Sequence, residues 1–169
     1  MTRLILLTGT LLIIAEIALA QGAQNAPCAV VEHRQFDFWI GTWTVTTSDG
    51  NIAGENRIER ILGDCVIYES WDGAGGTRGH SFNVFDASTG KWHQTWVDTG
   101  GTLLLLDGGI VDGAMVLEGT RPGADGRSIR HRISWTPLDD GDVRQHWEYS
   151  RDAGATWETL FDGRYHKAK

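Results

Sequence analysis

From residue 42 onward the chain is a succession of short alternating segments divided by tight turns, and few folds accommodate so many of them. Trp43 and Val45 alternate with Thr42, Thr44 and Thr46; Trp92, Gln94, Trp96 and Asp98 alternate with His93, Thr95 and Val97. A period of two places successive side chains on opposite faces of a strand. Turn-forming residues fall between the segments: Asp49-Gly50, Gly63-Asp64, Thr89-Gly90, Gly100-Gly101 and Asp112-Gly113. Eight Trp and 22 Gly against three Pro suit strands punctuated by turns. The pattern predicts about ten strands in the order of the chain. Gly-rich connections are expected at 72–78 and 121–127. Hairpin-length connections make sequential strands neighbours, and a long antiparallel meander either closes or leaves exposed edges. The expected fold is all-β, a ten-stranded antiparallel up-and-down barrel of the lipocalin-like kind. An open sandwich is the alternative.

One stretch departs from this period. Phe36, Trp39, Ile40 and Trp43 fall at i, i+3, i+4 and i+7, the apolar stripe of a short helical turn. Gly41 ends it, and the strand pattern begins. Three large aromatics at the junction are expected to plug one end of the barrel, because aromatic side chains dominate cores.

Residues 1–20 read as a signal peptide. Arg3 gives a positive start, residues 4–15 are uncharged and mostly apolar, and Ala18-Leu19-Ala20 is an A-x-A cleavage site. The apolar run is shorter than the roughly 20 residues a membrane span needs. Cleavage after Ala20 leaves a flexible tail at 21–33 and a single barrel domain at 34–169, secreted or periplasmic, with no membrane insertion. Asn25-Ala26-Pro27-Cys28 is a poor match to a lipoprotein signal. The formal net charge of -7 argues against nucleic acid and anionic membrane surfaces as partners. In an exported chain the two cysteines, Cys28 and Cys65, are expected to form one disulfide, with a free thiol as the alternative.

Candidate functional residues lie on the Trp-bearing faces. Trp92, Gln94 and Trp96 share a face, as do Val143, Gln145 and Trp147, and as do Ile129, His131, Ile133 and Trp135. A buried amide or imidazole without a partner costs about 1–3 kcal/mol. Such groups therefore pair with one another or meet water and a ligand. The third and fourth strands are ambiguous: the face with Cys65, Ile67, Glu69 and Trp71 competes with the one bearing Val66 and Tyr68. If Trp71 faces inward, Glu69 is a buried carboxylate beside Asn83 and Gln94. It then has either a raised pKa or a cationic partner such as Arg132 or Arg144.

The expected ligand-binding set is Glu69, Trp71, Asn83, Trp92, Gln94, Trp96, Gln145 and Trp147, around a small, partly apolar molecule. One alternative is an enzyme using Glu69 or Asp98 as acid or base. Another is an interaction module with a solid core. No metal site is expected: the six His show no H-x-H or H-x-x-x-H spacing, and the cysteines lack zinc-site spacing. Ser150 to Trp157 matches S-x-D-x-G-x-x-W and resembles the Asp-box hairpin of sialidase propellers, which implies a structural turn.

Other motifs run in order: F-D-F-W-x-G-x-W at 36–43, G-x-C at 63–65, E-x-W at 69–71, G-x-S-x-N at 79–83, K-W-x-Q-x-W-x-D at 91–98 and F-x-G-x-Y at 161–165. As a set, covering residues 34–166, they resemble an uncharacterised family of small exported bacterial proteins opening on F-D-F-W-x-G-x-W. That resemblance implies a calycin or lipocalin-like barrel and no established activity. Thr42 and Phe85 depart from it, where members often carry an acidic residue and Tyr. The chain is also similar to the nitrobindin-like haem barrels, which would imply haem. Their second Gly-rich motif is absent after Trp43, so no cofactor is predicted and haem stands as a minor alternative.

Overall fold

The structure, a computed structural model, describes residues 28–168. The signal peptide, its cleavage site and residues 21–27 of the expected tail lie outside the described residues. Ten strands follow in chain order: β1 (Gly41–Thr47), β2 (Ile52–Ile61), β3 (Val66–Gly73), β4 (Arg78–Asp86), β5 (Lys91–Asp98), β6 (Leu103–Val111), β7 (Ala114–Pro122), β8 (Ser128–Pro137), β9 (Val143–Ser150) and β10 (Glu158–Lys167). Each pairs antiparallel with its sequence neighbour, and β1 pairs with β10 with Val45 opposite Tyr165, so the barrel closes. Closure satisfies the hydrogen-bonding groups that a ten-strand open meander would leave bare on its two edge strands.

A ten-stranded barrel is wider than the eight-stranded kind whose own side chains just fill it. At the end carrying the β2–β3, β4–β5 and β8–β9 turns the extra width is filled from outside the sheet. Phe36 and Trp39 enter there, stacked at a 4.8 Å centroid separation, and Phe36 meets Trp135 at 5.2 Å. Phe36, Trp39, Trp43, Trp92 and Trp135 are all buried. The helical stripe expected over 36–43 is shorter than its spacing suggested: a 3-10 turn at Asp37–Trp39, with Ile40 already extended. The Trp43 indole N–H donates to the Trp39 carbonyl at 2.9 Å, which joins the turn to β1. Outside, Asp37 pairs with Arg60 of β2.

Residues 28–33 are tied down as well. A second 3-10 turn occupies Val31–Arg34. Cys28 is bonded to Cys65, which sits just before β3. Arg34 Nη2 donates to the carbonyls of Cys28 and Asp64 at 2.9 and 2.7 Å. These contacts clamp the plug to the β2–β3 turn. That disulfide indicates an oxidising compartment.

The Asp-box stretch forms the β9–β10 turn. Asp152 Oδ1 accepts from the Thr156 backbone N–H at 2.8 Å, and Ser150 Oγ accepts from Gly154 N–H at 2.8 Å. Trp157 packs outside the barrel under the Arg132 guanidinium, 4.0 Å from the ring centroid. Its role is structural.

Candidate functional site

The alternation of β3 resolves with Ile67, Glu69 and Trp71 inward and Tyr68 outward. Tyr68 lies against His80 and Phe82 on the outer surface. Glu69 is opposite Ile58 on β2 and Ser81 on β4. Neighbouring inward positions carry small polar side chains, so the carboxylate, only 4% exposed, is met by donors. Ser81 Oγ donates to Glu69 Oε2 at 2.6 Å, and Asn56 Nδ2 donates to Glu69 Oε1 at 2.7 Å.

The network is directional. Gln94 Nε2 donates to Asn83 Oδ1 at 2.8 Å, and Asn83 Nδ2 donates to Ser81 Oγ at 2.9 Å. Asn56 Nδ2 also donates to the Tyr165 hydroxyl at 3.2 Å, and that hydroxyl donates to Gln145 Oε1. Ser81 and Asn56 donate to Glu69 from either side, and the branch from Asn56 through Tyr165 runs away from it to Gln145. No cation joins them among the described residues: Arg132 and Arg144 face outward, pairing with Glu148 at 3.0 Å and with Asp162 at 2.7 Å. Burial pushes the Glu69 pKa up to about 7, against the opposing hydrogen bonds from Ser81 and Asn56. Burial, and then the Glu69 charge, raise the Tyr165 hydroxyl well above its ordinary value.

Beside this network lies a cavity of about 250 Å³. Six of the residues expected at a pocket line it: Glu69, Trp71, Gln94, Trp96, Gln145 and Trp147. The other two do not. Asn83 is fully buried one step behind the wall, where it orients Ser81 and Gln94. Trp92 belongs to the plugged end, packed on Phe36, with its N–H donated to Gln35 Oε1 at 3.1 Å. Leu104, Ile133, Leu160, Phe161 and Tyr165 complete the wall. Phe161 and Tyr165 share parity across F-x-G-x-Y, a signal that was available in the sequence. Leu160 was not findable that way. It sits where the β9–β10 register shifts between Thr159 and Phe161, and is 52% exposed at the cavity mouth.

Glycines keep the cavity open. A Cβ on Gly79 would come within 2.2 Å of the Trp96 ring and 2.9 Å of the Val97 carbonyl; one on Gly54 would come within 2.8 Å of the Trp71 ring. Both indoles therefore pack close against neighbouring backbone, which has room for them only because these positions carry no Cβ. The Trp96 N–H is held by Asp98 Oδ2 at 3.2 Å.

Asp98 itself is not placed for proton transfer in the cavity. Its Oδ1 accepts from the backbone N–H groups of Gly100 and Thr102 at 2.8 and 3.1 Å, organising the β5–β6 turn. Its pKa lies below the ordinary value: partial burial raises it, and the hydrogen bonds from Thr102, Trp96 and Gly100 outweigh that.

The wall does not fit haem. Haem iron takes His, Cys, Met or Tyr as its protein ligand. Among the described residues no His, Cys or Met lines the cavity, and the Tyr165 hydroxyl is committed to Asn56 and Gln145. His131 faces inward on β8 but spends Nδ1 on the Trp147 N–H at 3.1 Å. His146 lies on the outer face of β9, bonded to Thr159. Among the described residues no group of three or more His, Cys, Asp or Glu is close enough to hold a metal, and no helix is long and apolar enough to cross a membrane. No family model matches the chain, and no curated protein matches it in sequence.

Proposed function

We propose that this is an exported barrel, secreted or periplasmic, that binds one small, partly apolar molecule in its interior. The observation that carries the reading is the cavity of about 250 Å³ against a hydrogen-bonded polar cluster. A cavity of about 150 Å³ with apolar walls holds a benzene molecule, and drug-sized ligands occupy roughly 300–1,000 Å³. The ligand is therefore larger than one aromatic ring and smaller than a typical drug. Gln94 Oε1 and Gln145 Nε2 have no protein partner among the described residues and offer the cavity one acceptor and one donor. Export is supported by the reading of residues 1–20 and by the disulfide, and the barrel agrees with the motif resemblance.

Native mass spectrometry of the protein purified from its own host tests this, with an absorbance scan of the same sample. A retained small organic molecule is the expected result. Protein that emerges empty and also fails to take up any member of a fragment library at millimolar concentration overturns the reading.

A second reading, an enzyme with Glu69 as general acid or base, is favoured by one observation: a carboxyl group titrating near 7 on a cavity wall. A Glu69→Gln variant that folds, still binds and loses a measured turnover would establish it.

A further inference from the structure

We propose that the molecule this cavity selects is an organic cation, an alkylated or aryl-bearing ammonium whose charge is caged by Trp71, Trp96 and Trp147 and balanced by Glu69. The inference rests on the ligand-binding reading and names the chemical class.

Three features of the wall point to a cation. Five of its eleven residues are aromatic, and three of these are Trp, the side chain whose ring face attracts a cation most strongly. Among the described residues its single charged group is acidic, and no Lys, Arg or His joins it. An anionic ligand would meet Glu69 with nothing to balance either charge. Finally, Glu69 is a buried carboxylate whose two hydrogen-bonding partners, Ser81 and Asn56, both donate to it, with no counter-ion among the described residues. The inward groups facing it are Asn56 and Ile58 from β2, Ser81 from β4 and Tyr165 from β10. Tyr165 is the only other titratable group among them, and it stays neutral. A buried carboxylate is ordinarily paired with a cation or protonated. Here the donors are arranged for the ionised form, and an ammonium in the cavity supplies the missing partner. A neutral ligand of the same shape gains the apolar contacts and forgoes both the cation–π attraction and the charge pairing.

The test compares three probes of matched size on the disulfide-intact protein: benzyltrimethylammonium, its uncharged carbon isostere neopentylbenzene, and phenylacetate. Binding is read by tryptophan fluorescence and calorimetry at pH 8. The expected result is that the cation binds at least about tenfold more tightly than the isostere and that phenylacetate binds weakest. Affinity for the cation should fall by up to about tenfold per pH unit below 7, as Glu69 takes up a proton, while the isostere shows no such slope. In Glu69→Gln the preference over the isostere should shrink and the pH slope vanish. Should the isostere or phenylacetate bind as tightly as the cation, the inference is overturned and the binding reading stands. Absence of binding by all three probes at millimolar concentration overturns the inference; the binding reading falls with it only if the protein also emerges empty from its host and takes up no library fragment. A preference that survives Glu69→Gln unchanged removes Glu69 from the assignment. The isostere comparison and pH series need only the unaltered protein, so a poorly folding variant does not block the test.

Discussion

Ser81 Oγ donates a hydrogen bond of 2.6 Å to Glu69 Oε2 across the β3–β4 pair, and both side chains are almost wholly buried. Ser81 receives its own hydrogen bond from Asn83, so its hydroxyl proton is directed at the carboxylate. Removing it takes away a donor that favours the ionised acid. In Ser81→Ala the Glu69 pKa should rise beyond about 7. Above that pH the variant should be less stable by about 1–3 kcal/mol. A ¹³C NMR titration of the Glu side chains checks the first point and urea denaturation the second; a downward move of the Glu69 titration contradicts the account.

Glu69 also makes the fold sensitive to pH in a defined direction. Its carboxyl titrates at about 7 in the folded protein against an ordinary 4.5. Between those values the folded state binds more protons than the unfolded one, so this group's contribution to stability falls as pH rises through the window and levels off above it. The total is on the order of 3 kcal/mol at 1.36 kcal/mol per pKa unit. Glu69→Gln lacks that slope. Relative to the unaltered protein the variant should be more stable at pH 8 than at pH 4.5 by about that amount. Parallel urea melts that keep the same difference at both pH values would rule this out.

Gly79 tests whether the cavity depends on indoles lying against bare backbone. A Cβ there meets Trp96 at 2.2 Å and the Val97 carbonyl at 2.9 Å, so the ring must swing away. Gly79→Ala should destabilise by about 1–3 kcal/mol, as overpacking does, and reduce binding of any cavity ligand. Denaturation and the fluorescence titration read the two effects separately. Unchanged affinity in a folded Gly79→Ala protein would show that the site lies elsewhere.

The Cys28–Cys65 bond closes a loop of 37 residues around the plug. In the chain-entropy model a loop of that length stabilises by about 3–4 kcal/mol. Replacing both cysteines with Ser should remove about that much. It should also loosen the Phe36–Trp39 end first, seen as faster amide exchange across residues 31–43 than around Glu69. Uniform loss of protection would mean that the plug and the cavity end unfold as one unit.

Alternation in β5 and β9 is clean enough that the sequence alone puts Trp92, Gln94 and Trp96, and likewise Val143, Gln145 and Trp147, on one face each. Turn residues mark the ten strands because Asp-Gly and Gly-Gly pairs favour the positive backbone angles of tight hairpins. Period two gives parity but not which parity faces in. In β3 the Glu69 face and the Tyr68 face are both plausible locally. The choice is made by register with β2 and β4, which brings Asn56 and Ser81 to Glu69 and leaves Tyr68 beside His80 outside. Only closure of β1 on β10 carries Tyr165 to Asn56, 109 residues away in the chain. Only the register shift in β10 brings Leu160 to the mouth beside Phe161. Strands, turns and the apolar plug are local in origin, set by side-chain period and backbone preference. The site is assembled from pairings between strands distant in sequence, so it exists only once the barrel has closed.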